Sequence, residues 1–266
     1  MKNQILSMLA PGHPWGELLQ YHDILESTNT LAKTLALQGA PHGTVIVAGQ
    51  QTGGRGRMGR SFHSPEGSGL YLSVIVRPDC AASELMHLTC AAAVAVCDAV
   101  KDATGIQSGI KWINDLVCDN RKIAGILTEL VLAPGTANVD AAIIGIGINC
   151  RQQEDEFPPE LRSIAGSLSM AAGRDISPAA VAAAVITRLY TVSDHLLDEK
   201  DSIMDRYRSQ CVTIGKKVVV HRYDTVRHGH AIGVDHDGGL LVEFPDGTAE
   251  TVSSGEAHVR GMYGYV

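Results

Sequence analysis

The chain has 266 residues, which is long enough for one large domain or two smaller ones. Its hydrophobic content of 45% supports a substantial core, and its net charge of −7 argues against a broad nucleic-acid-binding or membrane-binding face, because such a face is basic. No apolar run is predicted to span a membrane, and the N-terminus lacks the apolar core of a signal peptide. Six cysteines without a C-x-x-C pair indicate reduced thiols in a cytoplasmic protein.

Helices and strands are predicted to alternate in the N-terminal part of the chain. Residues 1–20 are interpreted as a short leader and one amphipathic turn, too few for a helix-turn-helix domain. The elements predicted next are a helix capped by Ser27-Thr28-Asn29 and ended by Gly39 and Pro41, strands at 44–48 and 69–76, and a long helix at 83–104.

A hairpin is predicted after this helix, because Asp119-Asn120 provides a turn between strands at 110–118 and 122–131. A further strand is predicted at 139–148, and residues 151–176 are predicted to form loop and short helix. Ser177-Pro178 combines a cap with proline at the first helical position, which predicts a helix to about residue 199. A shorter helix is predicted at 202–210.

The composition becomes β-rich near Ile214. Short strands are predicted at 218–220, 229–234, 240–244 and 248–252, with hairpin turns at Asp237-Gly238 and Asp246-Gly247. Several short strands over this length favour a small barrel of the SH3 type. His228 and His230 share one face of a predicted strand and are interpreted as surface histidines rather than a metal site.

Three arginines alternate with three glycines in the segment Gly54-Arg55-Gly56-Arg57-Met58-Gly59-Arg60. Glycine allows close approach to a ligand, and arginine supplies planar cationic donors for phosphate or carboxylate. The glycines also match G-x-G-x-x-G, but a dinucleotide-binding fold requires a helix to begin there, and another strand is predicted instead. The pattern therefore favours a mobile loop that closes over an anionic small molecule.

Two further segments contain candidate binding residues. Lys122 lies where the hairpin turns back into an apolar strand, so it is either a cation for a carboxylate or phosphoryl oxygen or a solvated turn lysine. Gly145 and Gly147 lie inside a strand that ends at Asn149. Glycine at such positions marks close approach of a ligand or tight packing of the sheet.

Taken in order, these motifs resemble the biotin–protein ligase family. The matching segments are Ser27-Thr28-Asn29, Gln51-Thr52, Gly54-Arg55-Gly56-Arg57-x-Gly59-Arg60, Lys111-Trp112-x-Asn114-Asp115, Arg121-Lys122-x-Ala124-Gly125-Ile126-Leu127 and Gly145-x-Gly147-x-Asn149. The C-terminal segment, which ends in Ser254-Gly255-Glu256, resembles the small barrel of the family. Three positions depart from the family pattern: Ile113 replaces a usual proline, Gly53 a common alanine and Met58 a frequent basic residue.

The resemblance implies an α+β fold with a mixed sheet and helices, like that of class II aminoacyl-tRNA synthetases, over residues 1–212. An SH3-like β-barrel over residues 213–266 would follow it. The resemblance also implies two half-reactions. The biotin carboxylate attacks the α-phosphate of Mg²⁺-ATP and gives biotinyl-5′-AMP and pyrophosphate. A lysine of a biotin carboxyl carrier domain then attacks the adenylate and gives an amide and AMP.

The resemblance also implies the site residues. The catalytic cations would be Lys122, Arg55 and Arg57. The residues that would bind biotin are Ser27, Thr28, Asn29, Gln51, Gly54, Arg55, Gly56, Arg57, Lys122 and Gly125. The residues that would bind ATP are Arg57, Arg60, Asn114, Asp115 and Asn149, with Asn149 against adenine. Mg²⁺ would enter with ATP, and no separate protein metal site is expected.

Two alternatives to biotin ligation remain open at this point: a lipoate or octanoate ligase of the same superfamily, and a non-catalytic biotin- or nucleotide-binding module. Three cations around one site argue against simple binding. Some relatives carry an N-terminal DNA-binding domain, but this chain begins close to the catalytic motifs, so no DNA binding is expected. A carboxylase carrier domain is the expected protein substrate, and relatives suggest a homodimer.

Overall fold

A seven-stranded mixed sheet organises the N-terminal part of the protein. The structure is a computed structural model that describes residues 1–222, 225–253 and the backbone of 258–261. The strands of this sheet are β1 (Leu19–Leu25), β2 (Thr44–Gln51), β3 (Gly69–Val76), β4 (Gly109–Lys111), β5 (Asp115–Cys118), β6 (Arg121–Leu132) and β7 (Val139–Asn149). Their order is β1-β2-β3-β7-β6-β5-β4, and only the β1–β2 pair is parallel among these neighbours.

Helices cover both faces of this sheet. They are α1 (Lys2–Met8), α2 (Thr28–Leu37), α3 (Leu88–Thr104), α4 (Leu168–Ala172), α5 (Pro178–Asp194) and α6 (Lys200–Gln210). Side chains alternate between the faces of a strand, so Val45 and Val47 of β2 join the main core, whereas Ile46 packs in a smaller cluster with α2. The helix α2 is thereby held against the sheet.

A long apolar helical stretch lies inside the main core. Ala82–Thr104 is long and apolar enough in composition to cross a membrane, which corrects the expectation that no run reaches that length. However, 72% of its most apolar window is buried in the structure, as in the core helix of a globular protein. All six cysteines are free, and five of them are buried.

A second, five-stranded antiparallel sheet follows α6. Its strands are β8 (Lys217–Arg222), β9 (Thr225–Val234), β10 (Leu240–Glu243), β11 (Ala249–Val252) and β12 (His258–Gly261), in the order β11-β10-β9-β8-β12. The predicted turn glycines Gly238 and Gly247 have positive φ values of 91° and 82°. His228 and His230 are exposed on β9. The segment Ser254-Gly255-Glu256 lies outside the described residues.

The structure confirms most predicted elements and corrects several. Asp119 and Asn120 have φ values of 49° and 60°, so the predicted hairpin turn is present. The strand predicted at 110–118 is divided into β4 and β5 by a turn at residues 112–114. The helix predicted to residue 199 ends at Asp194, and β1 was not predicted. Residues 1–20 are not a detached leader, because Ile5 and Trp15 are buried in the main core.

Candidate active site

A cavity of roughly 490 Å³ lies where α2, the loop at residues 54–60 (the Gly/Arg loop) and the strands β6 and β7 meet. The residues predicted from the sequence that line it are Ser27, Thr28, Asn29, Gln51, Arg55, Gly56, Arg57, Arg60, Asn114, Asp115, Lys122 and Gly125. Gly54 and Asn149 do not line it. The fold therefore brings together residues that are almost 100 positions apart in the sequence.

A network of buried hydrogen bonds forms one end of the cavity, at the N-terminus of α2. The backbone N–H and the hydroxyl of Thr28 both lie within hydrogen-bonding distance of Gln51 Oε1, at 2.8 and 3.1 Å. The Ser73 hydroxyl lies 2.6 Å from Asn29 Oδ1 and 2.8 Å from Thr28 Oγ1. Buried polar side chains with satisfied partners are held rigidly, so this end presents fixed donors and acceptors. Sequence analysis missed Ser73, which lies within a strand and outside every motif.

A carboxylate that sequence analysis also missed borders this network. Glu129 of β6 accepts a hydrogen bond of 3.0 Å from the Asn29 amide, and it forms ion pairs with Arg55 at 3.4 Å and Lys33 at 4.0 Å. The Asn29 amide also donates to the Leu127 carbonyl at 3.2 Å. These contacts fix the direction of the Asn29 amide and hold Arg55 at the cavity. A charged residue inside an apolar strand was the available signal.

Three glycines of β6 and β7 provide space for side chains of the site. A Cβ at Gly147 would lie 2.6 Å from the Phe62 ring, and a Cβ at Gly145 would overlap the Asn29 amide. Gly125 is paired with Gly147 across the strands, and a Cβ there would lie 3.1 Å from Lys122 Nζ. The glycines thus permit close approach of functional side chains rather than tight packing of a second backbone. Phe62, a further lining residue, was not predicted.

The other end of the cavity is cationic. Lys122 Nζ forms an ion pair of 2.6 Å with Asp115 and lies 5.9 Å from the centroid of the Phe62 ring. Arg57 donates a hydrogen bond of 3.1 Å to Asn114 Oδ1. Burial lowers the pKa of Arg57 from its ordinary value, although guanidinium remains charged near neutral pH. A charge withdrawn from water interacts strongly with an incoming anion.

The connection between β4 and β5 holds these cations in place. Asn114 is bound to β6 twice, since its side-chain amide donates to the Ile126 carbonyl at 3.0 Å and its own carbonyl accepts from the Ile126 N–H at 2.9 Å. The Oδ1 atom of Asn114 then faces Arg57, and the next residue carries the carboxylate that binds Lys122. Asn114 and Asp115 therefore hold the candidate catalytic residues Arg57 and Lys122 in place.

The Gly/Arg loop has a rigid base. Phe62 N–H donates to the Gly54 carbonyl at 2.9 Å, and a Cβ at Gly54 would contact the Phe62 carbonyl and the Ser64 hydroxyl. Only glycine fits where the two ends of the loop approach each other at Gly54. Gly54 therefore shapes the loop and does not line the cavity. The tip is exposed: Met58 has a φ of 55° and is 63% exposed. The loop is held at its ends and open to solvent at its centre.

Asn149 supports the backbone beside the cavity. It is only 5% exposed, and its amide donates to the Gly166 carbonyl at 2.9 Å. The Gly166 N–H in turn donates to the Lys122 carbonyl at 2.9 Å, and the Lys122 N–H donates to the Ile164 carbonyl at 2.7 Å. Asn149 therefore stabilises the chain segment that carries Lys122. Its contact with adenine stays a prediction.

Comparison with known proteins identifies the family. The sequence profile of the biotin/lipoate A/B protein ligase family matches residues 21–149, and that of the biotin protein ligase C-terminal domain matches residues 213–260. The bifunctional ligase/repressor BirA of Bacillus subtilis is 40% identical over 240 residues, which cover 90% of this chain and 73% of that protein. The chain belongs to the biotin protein ligase family.

Other family members agree with this assignment. The biotin–[acetyl-CoA-carboxylase] ligase of Mycobacterium tuberculosis is 29% identical over 265 residues, covering 95% of this chain and 93% of that protein. The biotin protein ligase of Aquifex aeolicus, solved in complex with biotin and ATP, has a TM-score of 0.76 and 29% identity, and the match covers 91% of this chain and 98% of that one. These comparisons confirm the resemblance inferred from the motifs and the fold class of a mixed sheet followed by a small C-terminal β-domain.

Proposed function

We propose that this biotin protein ligase family member activates biotin with ATP to biotinyl-5′-AMP and transfers the biotinyl group to a lysine of a biotin carboxyl carrier domain. The observation that carries the proposal is the division of one cavity into a rigid polar end at Thr28 and Gln51 and a cationic end at Arg57 and Lys122. Such a cavity fits a molecule with a neutral polar head and a carboxylate.

The polar end matches the ureido head of biotin. A ureido group has a carbonyl acceptor and two N–H donors, and the hydroxyl and amide groups of Ser27, Thr28, Asn29 and Gln51 supply both kinds of partner. Phe62 and Leu127 line the same cavity, and the Phe62 ring packs over Gly147, so they provide an apolar surface for the thiophane ring and the valeryl chain. Arg55, Gly56 and Gly125 would close the pocket around them.

The cationic end addresses the main electrostatic barrier to adenylate formation. Two unit negative charges about 4 Å apart repel by about 4 kcal/mol at an effective dielectric of about 20. Lys122, Arg57 and Arg55 offset this repulsion between the biotin carboxylate and the α-phosphate. Lys122 and Arg55 are paired with Asp115 and Glu129, so these carboxylates hold the two cations in position at the cavity.

ATP is proposed to bind beside Arg57, Arg60, Asn114, Asp115 and Asn149. Mg²⁺ enters as part of the Mg²⁺-ATP substrate and is held largely by the triphosphate and water. Asp115 is a suitable oxygen ligand at this end of the cavity. Among the described residues, no group of three or more His, Cys, Asp or Glu side chains forms a separate metal site.

The proposed partners follow from charge and topology. The net charge of −7 supports a ligase that does not bind operator DNA, and a gel shift with the adenylate present would test this, since saturable sequence-specific retardation contradicts it. The edge strand β1 offers backbone groups for a homodimer, which sedimentation would detect. Six free thiols support a cytoplasmic location, which fractionation of cells would check.

Biotin-dependent exchange of pyrophosphate into ATP tests the activation step. Wild-type protein should support exchange with biotin and not with lipoate or octanoate, and Lys122→Ala should lower kcat by about 100-fold or more, because it removes a preorganised cation. Lys33→Ala is the matched control: like Lys122, Lys33 is paired with a carboxylate, here Glu129 at 4.0 Å, but it does not line the cavity. Its exchange rate should be close to that of the wild type.

The other outcomes discriminate between functions. Exchange with lipoate but not biotin would reassign the acid while keeping the mechanism. Absence of exchange with any acid, together with biotin binding by calorimetry, would leave a non-catalytic binding module. Transfer is checked separately with an isolated biotin carboxyl carrier domain and its lysine-to-alanine variant, where only the former should become labelled.

A further inference from the structure

The segment 111–115 bridges the cavity and the C-terminal domain. On the cavity side, Asn114 and Asp115 hold Arg57 and Lys122 at 3.1 and 2.6 Å. On the opposite side, the segment is held by Tyr207, Thr213 and Gly238. These residues belong to neither β6 nor the Gly/Arg loop. Any displacement of this segment therefore moves the two cations on which the proposed adenylation depends.

Three buried hydrogen bonds hold the segment from behind. The indole N–H of Trp112 donates to the Gly238 carbonyl at 2.8 Å, and the Trp112 backbone N–H donates to the Thr213 hydroxyl at 2.9 Å. The Tyr207 hydroxyl donates to the Ile113 carbonyl at 3.1 Å. Trp112 is 7% exposed and Tyr207 is 0% exposed, so these bonds form away from water and breaking them leaves buried polar groups unsatisfied.

Gly238 lies in the turn between β9 and β10, and this turn is rigid. The Asp235 carboxylate accepts hydrogen bonds from the backbone N–H groups of Asp237 and Gly239, at 2.9 and 2.7 Å. Asp237 forms an ion pair of 2.6 Å with Lys200 of α6. The turn is thus fixed both internally and to the catalytic domain.

The turn also fits closely against α3. Gly238 has a φ of 91°, and a Cβ there would lie 2.8 Å from Cys90 Sγ and 3.4 Å from the Ile113 side chain. A side chain at this position would therefore displace either the turn or the bridging segment.

We infer that the β9–β10 turn of the C-terminal domain is a positioning element for the adenylation site, and that it acts through the hydrogen bond between Gly238 and Trp112. The coupling runs from the Gly238 carbonyl to Trp112, then along the chain to Asn114 and Asp115, and from them to the two cations. The inference rests on the proposed ligase function. Its consequence is that the first half-reaction, which needs no carrier protein, requires an intact contact with the C-terminal domain.

Two variants test the inference by biotin-dependent pyrophosphate exchange. Trp112→Phe removes the indole N–H while keeping an aromatic ring, and Gly238→Ala changes the turn outside the cavity lining. Each should lower kcat for exchange about tenfold and raise KM for ATP, in line with the cost of one unsatisfied buried group. KM for biotin should rise less than KM for ATP, because the polar network at Thr28, which lies on other elements, keeps its contacts.

Controls separate positioning from loss of folding. Trp15→Phe alters the other tryptophan of the chain, which is buried near His13 and Tyr190 away from the cavity, and it should retain wild-type kcat. Cys90→Ala combined with Gly238→Ala removes the atom that a Cβ would meet at 2.8 Å and should restore part of kcat. Urea unfolding of every variant should show that the protein is folded under the assay conditions.

Fluorescence supplies a second readout. In the Trp15→Phe protein, Trp112 is the sole tryptophan, so its emission should shift when biotin and ATP are added, and Gly238→Ala in that background should reduce the shift. Wild-type kcat and KM in both Trp112→Phe and Gly238→Ala would overturn the inference. Absence of exchange in the wild type would instead overturn the proposed function, so the two failures are distinguishable.

Discussion

Replacement of Ser73 by alanine tests whether the polar end of the cavity is held from beneath by the sheet. Ser73 lies on β3 and is 0% exposed, and its hydroxyl is 2.6 Å from Asn29 Oδ1 and 2.8 Å from Thr28 Oγ1. A hydroxyl carries one hydrogen, and the shorter contact marks Asn29 Oδ1 as the acceptor of the Ser73 hydrogen. Alanine removes the donor and leaves Asn29 Oδ1 buried without it.

The size of the effect follows from these contacts. A buried polar group without its partner costs about 1–3 kcal/mol. The Asn29 amide nitrogen keeps its bonds to Glu129 and to the Leu127 carbonyl, so the side chain stays in the site and only part of the cost appears in binding. We expect the free energy of unfolding to fall by about 1–2 kcal/mol and KM for biotin to rise about tenfold, equivalent to about 1.4 kcal/mol. KM for ATP should stay within about twofold of the wild type.

The assay is pyrophosphate exchange at varied biotin and varied ATP, together with urea unfolding. Thr44→Val is the matched control, because Thr44 is also buried on the sheet and its hydroxyl makes one hydrogen bond, 2.8 Å to the Pro41 carbonyl, at the end of β2 opposite the site. It should lose stability without a change in KM for biotin. If Ser73→Ala also kept the wild-type KM for biotin, the network would have no role in holding biotin-binding groups.

Further predictions concern packing, pH and a helix end. Gly147→Ala places a Cβ 2.6 Å from the Phe62 ring, so it should destabilise the protein by about 1–3 kcal/mol and impair exchange, and Phe62→Leu should relieve part of the thermal destabilisation. Burial lowers the pKa of His87, so the unfolded state takes up a proton near pH 6.5 while the folded state does not. The free energy of unfolding is therefore unaffected by His87 above that pH. Below it, the free energy of unfolding falls by at most about 1.4 kcal/mol per pH unit. His87→Gln should flatten urea stability between pH 5 and 7, whereas His195→Gln, at an exposed ring whose pKa is raised by a hydrogen bond to a carboxylate, should not. Arg77→Met removes donors to the Ala36 carbonyl of α2, at 2.8 Å, and to the Ala40 carbonyl just after the helix, at 2.9 Å. It should lower the melting temperature by several degrees while pyrophosphate exchange persists. An unchanged melting temperature would contradict a capping role for Arg77.

Local sequence patterns predicted the helix starts and turns that are determined by residues adjacent in the sequence. The cap at Ser177 followed by a proline places the start of α5, because the side chain accepts from the Ala180 N–H within the first turn. Asp119-Asn120 predicted the hairpin because both residues tolerate the positive φ that the turn requires. β1 was not predicted, since its burial pattern is irregular and its parallel pairing with β2 depends on chain that is distant in sequence.

The order of the motifs identified most of the site residues. It did not identify single residues that bind a site residue from a neighbouring strand. Gly54 and Asn149 belong to the motifs, yet the structure places both in supporting positions outside the cavity lining. Ser73 and Glu129 belong to no motif, yet both bind Asn29. A serine in a strand has no local signature of function, and a glutamate in an apolar strand indicates only that it has a partner, because the identity of that partner is set by the register of neighbouring strands.

The amino-acid sequence by itself determined the family, the chemistry of the loop and the class of reaction, because glycines, arginines and a lysine at set spacings are properties of the chain. Only the tertiary structure decided which partners these groups meet. The pairing of Gly125 with Gly147 opens the space for Phe62 and Lys122, and the turn at Gly238 reaches Trp112 over a separation of 126 positions. Such contacts arise from strand register and domain packing, which are set by burial of the whole apolar core rather than by any local run of residues.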